Sequence, residues 1–435
     1  MSAAGPSNYE IFSIKKPSTG QETGIEGRIL NFTYYESIYS PMITGRLVIE
    51  DTGGTIENEK GLLSTIKDGM KITGFEEVSF KIATAFGDLN FRDYPLIVTG
   101  SPATKDEPNR QTLILNLVSK TEMISSSKPL SRNYPESPIS EAVEKILTKE
   151  LKITKDKLDI EKTQNQDKIK GNHCGALDVI QKMCKKSIPA NGKDPGYFFF
   201  ETQDGFNFKS IDGLIKEGIK KFEDSLQYAY NHTYFYFGAL VANLEKDRNP
   251  NDFKVLLPPL VRRDEDQLQA LRNGLYNVRI ITKNSLTGEY KEEIKNLLSG
   301  TNLGEKQEKP MQVTDDVYFK TYAFHINPGE DDPGVSTNIL NNPAEYVPQA
   351  NMRYSLLHTQ IVQIQVPCNV QLKAGQVIRL LLENITQSNK NDQIYNELRS
   401  GFYMICHLSH TFTPKNSYTS LTLLRDTREL YTSKK

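Results

Sequence analysis

Two distant parts of this chain share the same pattern. The matching segments are GMKI at 69–72 with GQVI at 375–378, the strand pattern at 115–121 with that at 421–427 and, between these anchors, YPLI at 94–97 with YMIC at 403–406. The first two pairs are both separated by 306 residues. Because order, spacing and turn positions agree, the sequence predicts a duplicated barrel-like domain. We expect Gly69 and Gly375 to lie in matching turns that tolerate no side chain.

Alternating apolar residues between Phe32 and about Lys120 predict the strands of the first copy. The alternating positions are Ile43, Leu47 and Ile49, then Val78, Phe80 and Ile82, then Leu113, Leu115 and Leu117. A period of two is typical of half-buried strands. Turn-forming residues separate the three runs, which is the spacing of an antiparallel sheet or barrel. We predict a first β-barrel domain over residues 1–124.

A serine- and proline-rich stretch at 125–138 introduces a region with a different period. One helical stripe is formed by Ile139, Val143, Ile146, Leu147 and Leu151, and a second by Leu177, Ile180, Cys184 and Ile188. Ser137 is expected to cap the first helix, with Pro138 in its first turn. The strands of 196–215 turn at Asp204 and Gly205. We predict a mixed α/β domain over 125–222.

The rest of the chain predicts a second, interrupted β unit. The aromatic stretch from Ser225 to Leu244 is interpreted as strand, and about a hundred residues with little period follow it. Strands resume at Leu356 and continue to Leu424. We predict a discontinuous second barrel over 223–246 and 352–435, with an insertion domain at 247–351. The fold class is therefore α+β, mainly β: two similar antiparallel barrels, a mixed α/β domain between them and an insertion in the second barrel.

Charge and composition exclude several classes of protein. The 435 residues include 53 Lys and Arg and 54 Asp and Glu, a formal charge of -1, so the basic footprint of a dedicated nucleic-acid binder is missing. The sequence has no run of 18 apolar residues and no signal-peptide pattern. Both absences predict a soluble protein made without secretion. The four cysteines form no CxxC pair, which argues against a disulfide framework and a zinc site.

Two clusters have the residue types of nucleophilic catalysis. Asn172, His173 and Cys174 lie at a predicted helix start, where the helix dipole lowers a thiol pKa, but no motif supplies a second histidine or an acid. Cys406, His407 and His410 share a predicted strand, where alternation sends the two histidines to opposite faces. We interpret the first cluster as helix packing, and the second as a buried thiol with ordinary sheet-surface imidazoles.

Other polar clusters are interpreted as surface loops. Asp247–Asp252 has alternating oxygen ligands, but Asp252 replaces the glycine and Pro258 the glutamate of a calcium loop. Glu330–Asp332 is interpreted as a solvated acidic loop. The lysines of 145–170 alternate with acids, which favours solvent over nucleic acid. We predict no catalytic, cofactor-binding or metal-binding residues; a pair of hydrolase carboxylates is neither established nor excluded by the sequence.

Three stretches resemble the baseplate hub proteins of contractile-tailed bacteriophages. They are ESIYSPMITGRLVIEDTGG at 36–54, GYFFFETQDGFNFKSIDGLI at 196–215, and SGFYMICHLSHTFTP with SYTSLTLLRDT within 400–427. The resemblance implies two tube-type barrels per subunit, a homotrimer forming a pseudo-sixfold ring, and a place in the virion tail baseplate after assembly in the host cytoplasm. The implied partners are the central spike, the tail tube or its initiator proteins and the baseplate wedges, with DNA passing through the bore without specific binding and no membrane.

Three other functions remain open at this stage. A tail adhesin would use the tyrosine-containing insertion to bind a host surface glycan. A hub with a cell-wall hydrolase activity would clear peptidoglycan. The hub of a phage-related contractile injection system would share the same architecture. Our leading expectation is a structural hub that is not an enzyme.

Overall fold

The computed structural model describes residues 5–54, 56–57, 61–100, 103–108, 110–192, 195–236, 250–264, 267–274, 277–284, 287–296, 320–326, 343–383, 396 and 399–426. Over these residues the chain is α+β and mainly β, as the sequence predicts. Its largest sheet contains fifteen strands and runs through both predicted β units. No helix within the described ranges has the length and apolar character needed to cross a membrane.

The strands and helices follow one another along the chain in four groups. The first group comprises β1 (Asn8–Lys15), β2 (Glu22–Gly24), β3 (Ile29–Ser37), β4 (Thr44–Asp51), β5 (Ile56–Glu57), β6 (Leu63–Ser64), α1 (Ile66–Met70), β7 (Glu77–Thr84), β8 (Gly87–Asn90), β9 (Leu96–Val98), β10 (Ala103–Glu107), β11 (Arg110–Ser119) and α2 (Lys120–Ser127). The second comprises β12 (Asn133–Pro138), α3 (Ile139–Lys145), β13 (Leu158–Ile160), β14 (Gln166–Lys170), α4 (Ala176–Cys184), β15 (Tyr197–Thr202), β16 (Gly205–Ser210) and α5 (Ile211–Asp224). The third comprises α6 (Leu226–Asn231), β17 (Thr233–Tyr236), β18 (Leu260–Asp264), α7 (Gln267–Arg272), β19 (Asn277–Asn284), β20 (Tyr290–Asn296), β21 (Lys320–Ile326) and α8 (Pro343–Leu357). The last comprises β22 (Gln360–Pro367), β23 (Val377–Leu382), β24 (Gly401–Phe412) and β25 (Ser417–Arg425).

Six strands near each end of the chain have the same topology. We call β1, β3, β4, β7, β9 and β11 copy 1, and β17, β18, β22, β23, β24 and β25 copy 2. When the six strands are numbered along the chain within each copy, both copies place them side by side in the order 2-3-6-5-4-1. The copies differ at the first strand, since β1 is antiparallel to β7 whereas β17 is parallel to β23. Shared topology in this detail supports the duplication predicted from the sequence.

The last hairpins of the two copies also share their register. In copy 1, β10 continues β9, and Ala103 lies opposite Ile114 of β11. In copy 2, Ser409 lies opposite Ser420 of β25. Each residue of the second pair lies 306 positions after its counterpart in the first, which is the separation found in the sequence. The strand match around Leu115 and Leu421 therefore reflects equivalent positions in two hairpins.

Each copy curls around an apolar core of its own. Phe12 of β1 and Phe32 of β3 come from opposite ends of the strand order of copy 1, yet their ring centroids are 5.1 Å apart. The sheet must therefore close on its core, in the manner of a barrel. Copy 2 closes through the segment before β18, where the N–H of Val255 donates to Phe235 of β17 and the N–H of Leu256 donates to Gln365 of β22.

A single strand pairing joins the two copies. The second half of β24 pairs antiparallel with β3, placing His407 opposite Ser37 and Phe412 opposite Phe32. The first half of β24 pairs instead with β23. The switch between partners coincides with a β-bulge between Ile405 and His407. We call the pairing of 407–412 with 32–37 the seam.

The middle group forms a separate core and packs on both copies. Its three-stranded sheet places β16 between β13 and β15, and β15 and β16 turn at Asp204 and Gly205 as predicted. Phe198 and Phe200 of β15 point away from this core and join a cluster with Met404 and Leu424 of copy 2. The insertion contributes the sheet β20-β19-β21, which packs with α8. Strand β18 lies within the predicted insertion at 247–351, yet the sheet order places it in copy 2. The four-part division of the chain stays our proposal.

Three local predictions are wrong. Residues 226–231 of the aromatic stretch form α6, capped by the Ser225 hydroxyl, and the strand β17 begins at Thr233. Leu356 lies in the last turn of α8, and the next strand begins at Gln360. Ser137 does not cap α3, because its hydroxyl donates to the carbonyl of Pro135.

The two glycines of the repeat are not equivalent in structure. Gly69 lies inside α1, whereas Gly375 precedes β23 with φ of 81°. The left-handed backbone at Gly375 favours glycine, and a Cβ there would lie 2.7 Å from the Phe200 ring. A Cβ at Gly69 would lie 3.0 Å from Ile56. The expectation of two matching turns is therefore wrong at Gly69.

Candidate functional site

A buried carboxylate connects three parts of the chain beside the seam. Glu36 of β3 is 2% exposed, and its Oε1 accepts hydrogen bonds from the Tyr34 hydroxyl at 2.7 Å and from the Gln203 N–H at 2.9 Å. Its Oε2 accepts from the Ala374 N–H at 2.9 Å. Copy 1, the middle group and copy 2 therefore meet at one side chain, which fixes their relative positions.

A second buried carboxylate ties the middle group to copy 1. The Glu201 carboxylate at the end of β15 accepts a hydrogen bond from the N–H of Ile43 at 3.1 Å. Burial raises the pKa of Glu36 to about 7, and it raises the pKa of Glu201 to about 7 as well. For Glu201, the negative charge of Glu36 contributes to this rise after burial. Both carboxyls therefore titrate near neutral pH, which makes the junction sensitive to protons.

An aromatic cluster lies at the end of the seam where His407 faces Ser37. The Tyr39 ring lies 5.8 Å from the His358 ring and 5.8 Å from the His407 ring, and its hydroxyl is 2.8 Å from His358 Nε2. The Phe198 ring meets Tyr39 edge-on at 5.3 Å. Strand β24, the loop after β3, strand β15 and the residue after α8 contribute to this cluster. It therefore joins copy 1, copy 2 and the middle group to the end of α8.

The aromatic cluster forms one wall of a cavity of about 990 Å³ between the middle group and the insertion. Four cationic side chains line it, namely Lys182, Lys185, Arg263 and Lys320. Asp178 is the one carboxylate among the lining residues that the structure describes. Cationic and aromatic groups together suit an anionic group with an apolar body.

The first predicted nucleophile cluster does not assemble a catalytic site. Helix α4 begins at Ala176 with Gly175 as its N-cap, so Cys174 lies before the helix. The imidazole of His173 is 3.0 Å from the Ser131 hydroxyl, while the Cys174 sulfur is 3.4 Å from Lys182 Nζ. The thiol thus has an ammonium neighbour, and its neighbouring histidine is bonded elsewhere.

The structure separates the second cluster across the sheet. Cys406 is buried, and burial raises the pKa of its thiol to about 12. His407 is exposed beside Tyr39, whereas His410 is 1% exposed in the core, with Nδ1 2.9 Å from the Thr419 hydroxyl. Burial lowers the pKa of His410 to about 3. The histidines point to opposite faces as expected, but the interpretation of His410 as a surface residue is wrong.

The predicted polar loops are described in part. Residues Asp247–Asn249 and Glu330–Asp332 lie outside the described residues, and 250–253 form a single turn of 3-10 helix. Within 145–170, Lys145 pairs with Glu141, and Lys155 pairs with Glu144 at 2.7 Å. Among the residues that the structure describes, no three His, Cys, Asp or Glu side chains converge as metal ligands.

Sequence reasoning missed Glu36 and Glu201. In β3, Tyr34 and Glu36 are buried and Tyr35 between them is exposed. An acidic residue at a position where the alternation predicts an apolar one is the sequence signal that could have identified Glu36. Glu201 is the fifth residue of β15, a strand in which all six residues are buried, so no alternation marks it. Their partners lie in other units of the chain, so the pattern of one strand could not identify them.

No family model matches the sequence, and no curated protein sequence is similar to it. Solved structures do share its fold. A tail protein from Neisseria meningitidis MC58 aligns with a TM-score of 0.53 and 10% identity, over 96% of this chain and 97% of the other. The 43 kDa tail protein of prophage MuSo2 from Shewanella oneidensis aligns with a TM-score of 0.51 and 9% identity, over 96% and 99% of the two chains.

Proposed function

We propose that this chain is the structural hub protein of a contractile phage tail. Three chains form a pseudo-sixfold ring in the virion baseplate, between a sixfold tail tube and a trimeric central spike. DNA passes through the bore, and baseplate wedges surround the ring. The hub acts through geometry: it matches two symmetries, buries interfaces and holds the spike until the tail contracts.

The observation that carries the proposal is the duplication of one six-stranded unit within the chain. A trimer of such a chain places six units of similar shape around one axis, while its other parts repeat three times. The same particle can therefore offer a sixfold face to a tube and a threefold face to a spike. A single unit per chain would offer one symmetry alone.

Two further observations support the proposal. The fold is shared over nearly the full length of both chains with proteins named as tail proteins, from Neisseria meningitidis and from a Shewanella oneidensis prophage. The formal charge of -1 suits a bore through which DNA must slide, because each phosphate that a protein neutralises adds affinity. We propose no enzymatic activity.

Electron microscopy of the purified protein, alone and mixed with its candidate spike protein, tests the proposal. We expect threefold rings with six similar lobes and an open centre, and a spike bound on one face. Monomers in both samples would overturn the hub proposal. Peptidoglycan clearing by the same preparation would contradict a purely structural role, and glycan binding by monomers would favour the adhesin.

A further inference from the structure

Each of the two strands that form the seam has a counterpart in the other copy, and among the described residues neither counterpart has the equivalent pairing. Inside the chain, β3 of copy 1 pairs with the second half of β24 in copy 2. The topology makes β18 the counterpart of β3, and the shared hairpin register makes β10 the counterpart of the second half of β24. Within the described ranges, β18 pairs with β22 alone and β10 with β11 alone. Each strand therefore has one unpaired edge.

We infer that β18 of one chain pairs antiparallel with β10 of a second copy of this chain. The pairing repeats between chains the seam that exists within each chain. This inference rests on the proposed ring and names the surfaces that join its subunits. The contact is head-to-tail, so each chain uses β18 on one side and β10 on the other, and a closed ring leaves neither edge free.

Burial distinguishes the paired edges from the unpaired ones. At the seam, Tyr34 and Phe412 are fully buried. In β10, three of five residues are exposed, and in β18 Leu260 is 48% exposed. Leu256 and Leu257, just before β18, are exposed as well. Exposed apolar side chains beside an open strand edge are typical of a surface that another strand covers.

The seam gives the register expected on the β10 side. Ser409 lies opposite Tyr35, and His410 lies opposite Tyr34. In the shared hairpin register, Ala103 is the counterpart of Ser409. Thr104, which follows Ala103, is by the same shift the counterpart of His410.

The partner strands give the register on the β18 side. Tyr35 lies opposite Thr44 of β4, and Arg263 lies opposite Ile361 of β22. Thr44 and Ile361 are equivalent, because they face Val118 and Leu424, which are 306 residues apart. Arg263 is therefore the counterpart of Tyr35.

The same steps, taken one and two positions along the partner strands, assign Val261 to Tyr34 and Leu260 to Thr33. The resulting register between chains places Ala103 opposite Arg263, Thr104 opposite Val261 and Lys105 opposite Leu260. Facing Cα atoms in antiparallel strands are about 4.5–5.5 Å apart. This separation is within the reach of a disulfide.

Engineered disulfides test this register in the full-length protein. The variants combine Ala103→Cys with Arg263→Cys, or Thr104→Cys with Val261→Cys, each in a Cys174→Ala background that removes the most accessible native thiol. The two pairs are neighbours and therefore sample both kinds of antiparallel site. The control combines Ala103→Cys with Leu260→Cys, whose Cα atoms would be roughly 8 Å apart in this register. Mild oxidation is followed by non-reducing electrophoresis and by microscopy.

We expect at least one matched pair to give covalent dimers and trimers, and the control pair to give at least tenfold less. Threefold rings without cross-linking of either matched pair would overturn the inference and leave the hub proposal standing. Monomers without cross-linking would overturn both. Cross-linked open filaments would support the strand pairing and overturn the closed ring. Reduced variants with the thermal unfolding temperature of the wild type exclude misfolding as the cause of a negative result.

Discussion

The Glu36 carboxylate accepts a hydrogen bond from the backbone N–H of Ala374, a residue 338 positions later in the chain, at 2.9 Å. The same carboxylate accepts from Tyr34 and Gln203. One side chain thus satisfies donors from both copies and from the middle group. In the proposed ring, whose symmetry would depend on the angle between the two copies, this contact would hold that angle.

The number of donors at each buried carboxylate predicts a difference between two alanine variants. Glu36→Ala leaves two buried donors, the Tyr34 hydroxyl and the Ala374 N–H, and the partly buried Gln203 N–H without their acceptor, whereas Glu201→Ala removes the acceptor of the Ile43 N–H. A buried unsatisfied donor costs about 1–3 kcal/mol. We expect Glu36→Ala to lower the free energy of unfolding by at least about 2 kcal/mol more than Glu201→Ala, measured by urea unfolding followed by circular dichroism.

The two substitutions are matched, because both delete the same side chain and both carboxyls have a pKa of about 7. Equal losses of stability would show that the donors around Glu36 do not hold the three units together.

The raised pKa of Glu201 predicts how stability changes with pH. Because burial raises it from 4.5 to about 7, the folded chain holds this proton more tightly than the unfolded chain. The stability it contributes is complete below pH 4.5 and is lost as pH rises to 7. Glu201→Gln does not titrate and keeps an oxygen for Ile43. Its stability relative to wild type should rise by at most about 1.4 kcal/mol per pH unit between pH 5 and 7.

Glu107→Gln is the control for this pH series, measured by the same unfolding experiment. Hydrogen bonds from Lys105 and Arg110 lower the pKa of Glu107 to about 2, so its charge does not change between pH 5 and 7. Buried His410 contributes to the pH dependence of stability in every variant, so its contribution cancels when two variants are compared. A flat difference for Glu201→Gln over this range would contradict the assignment of a raised pKa.

The two repeat glycines should respond differently to alanine. Gly375 has φ of 81°, and an added Cβ would lie 2.7 Å from the Phe200 ring, so Gly375→Ala combines backbone strain with a clash. We expect it to cost about 2–4 kcal/mol. Gly69→Ala gains helix propensity and presses on Ile56 at 3.0 Å, so it should change stability by about 1 kcal/mol or less. Thermal unfolding of both variants tests the difference, and equal effects would contradict it.

Local patterns predicted the strands and the hairpin equivalence, because alternation and register are properties of a few neighbouring residues. Local patterns failed where the structure depends on contacts between residues far apart in the chain, or where a residue departs from its usual structural preference. Helix α8 contains Pro348. Because proline disfavours the interior of a helix, the sequence around it does not predict one. Segment 226–231 is short and aromatic, and its helix depends on the Ser225 cap. The contacts of Glu36 depend on how three units pack together.

The four cysteines predict a simple pattern of thiol reactivity. Burial raises the pKa of Cys184, Cys368 and Cys406, whereas Cys174 is partly exposed beside Lys182. Thiolates react and buried thiols do not. We expect one thiol per chain to react rapidly with a disulfide reagent in the native protein, four to react after denaturation, and none to react rapidly in native Cys174→Ala.

The same Cys174→Ala variant tests whether the thiol has a role beyond packing. Because His173 is bonded to Ser131, the structure gives the thiol no general base, and we expect ring assembly and infectivity to remain at wild-type levels. Loss of infectivity by particles that assemble normally would instead assign a chemical role to this thiol. Rapid reaction of two or more native thiols would show that a core containing Cys184, Cys368 or Cys406 opens in solution.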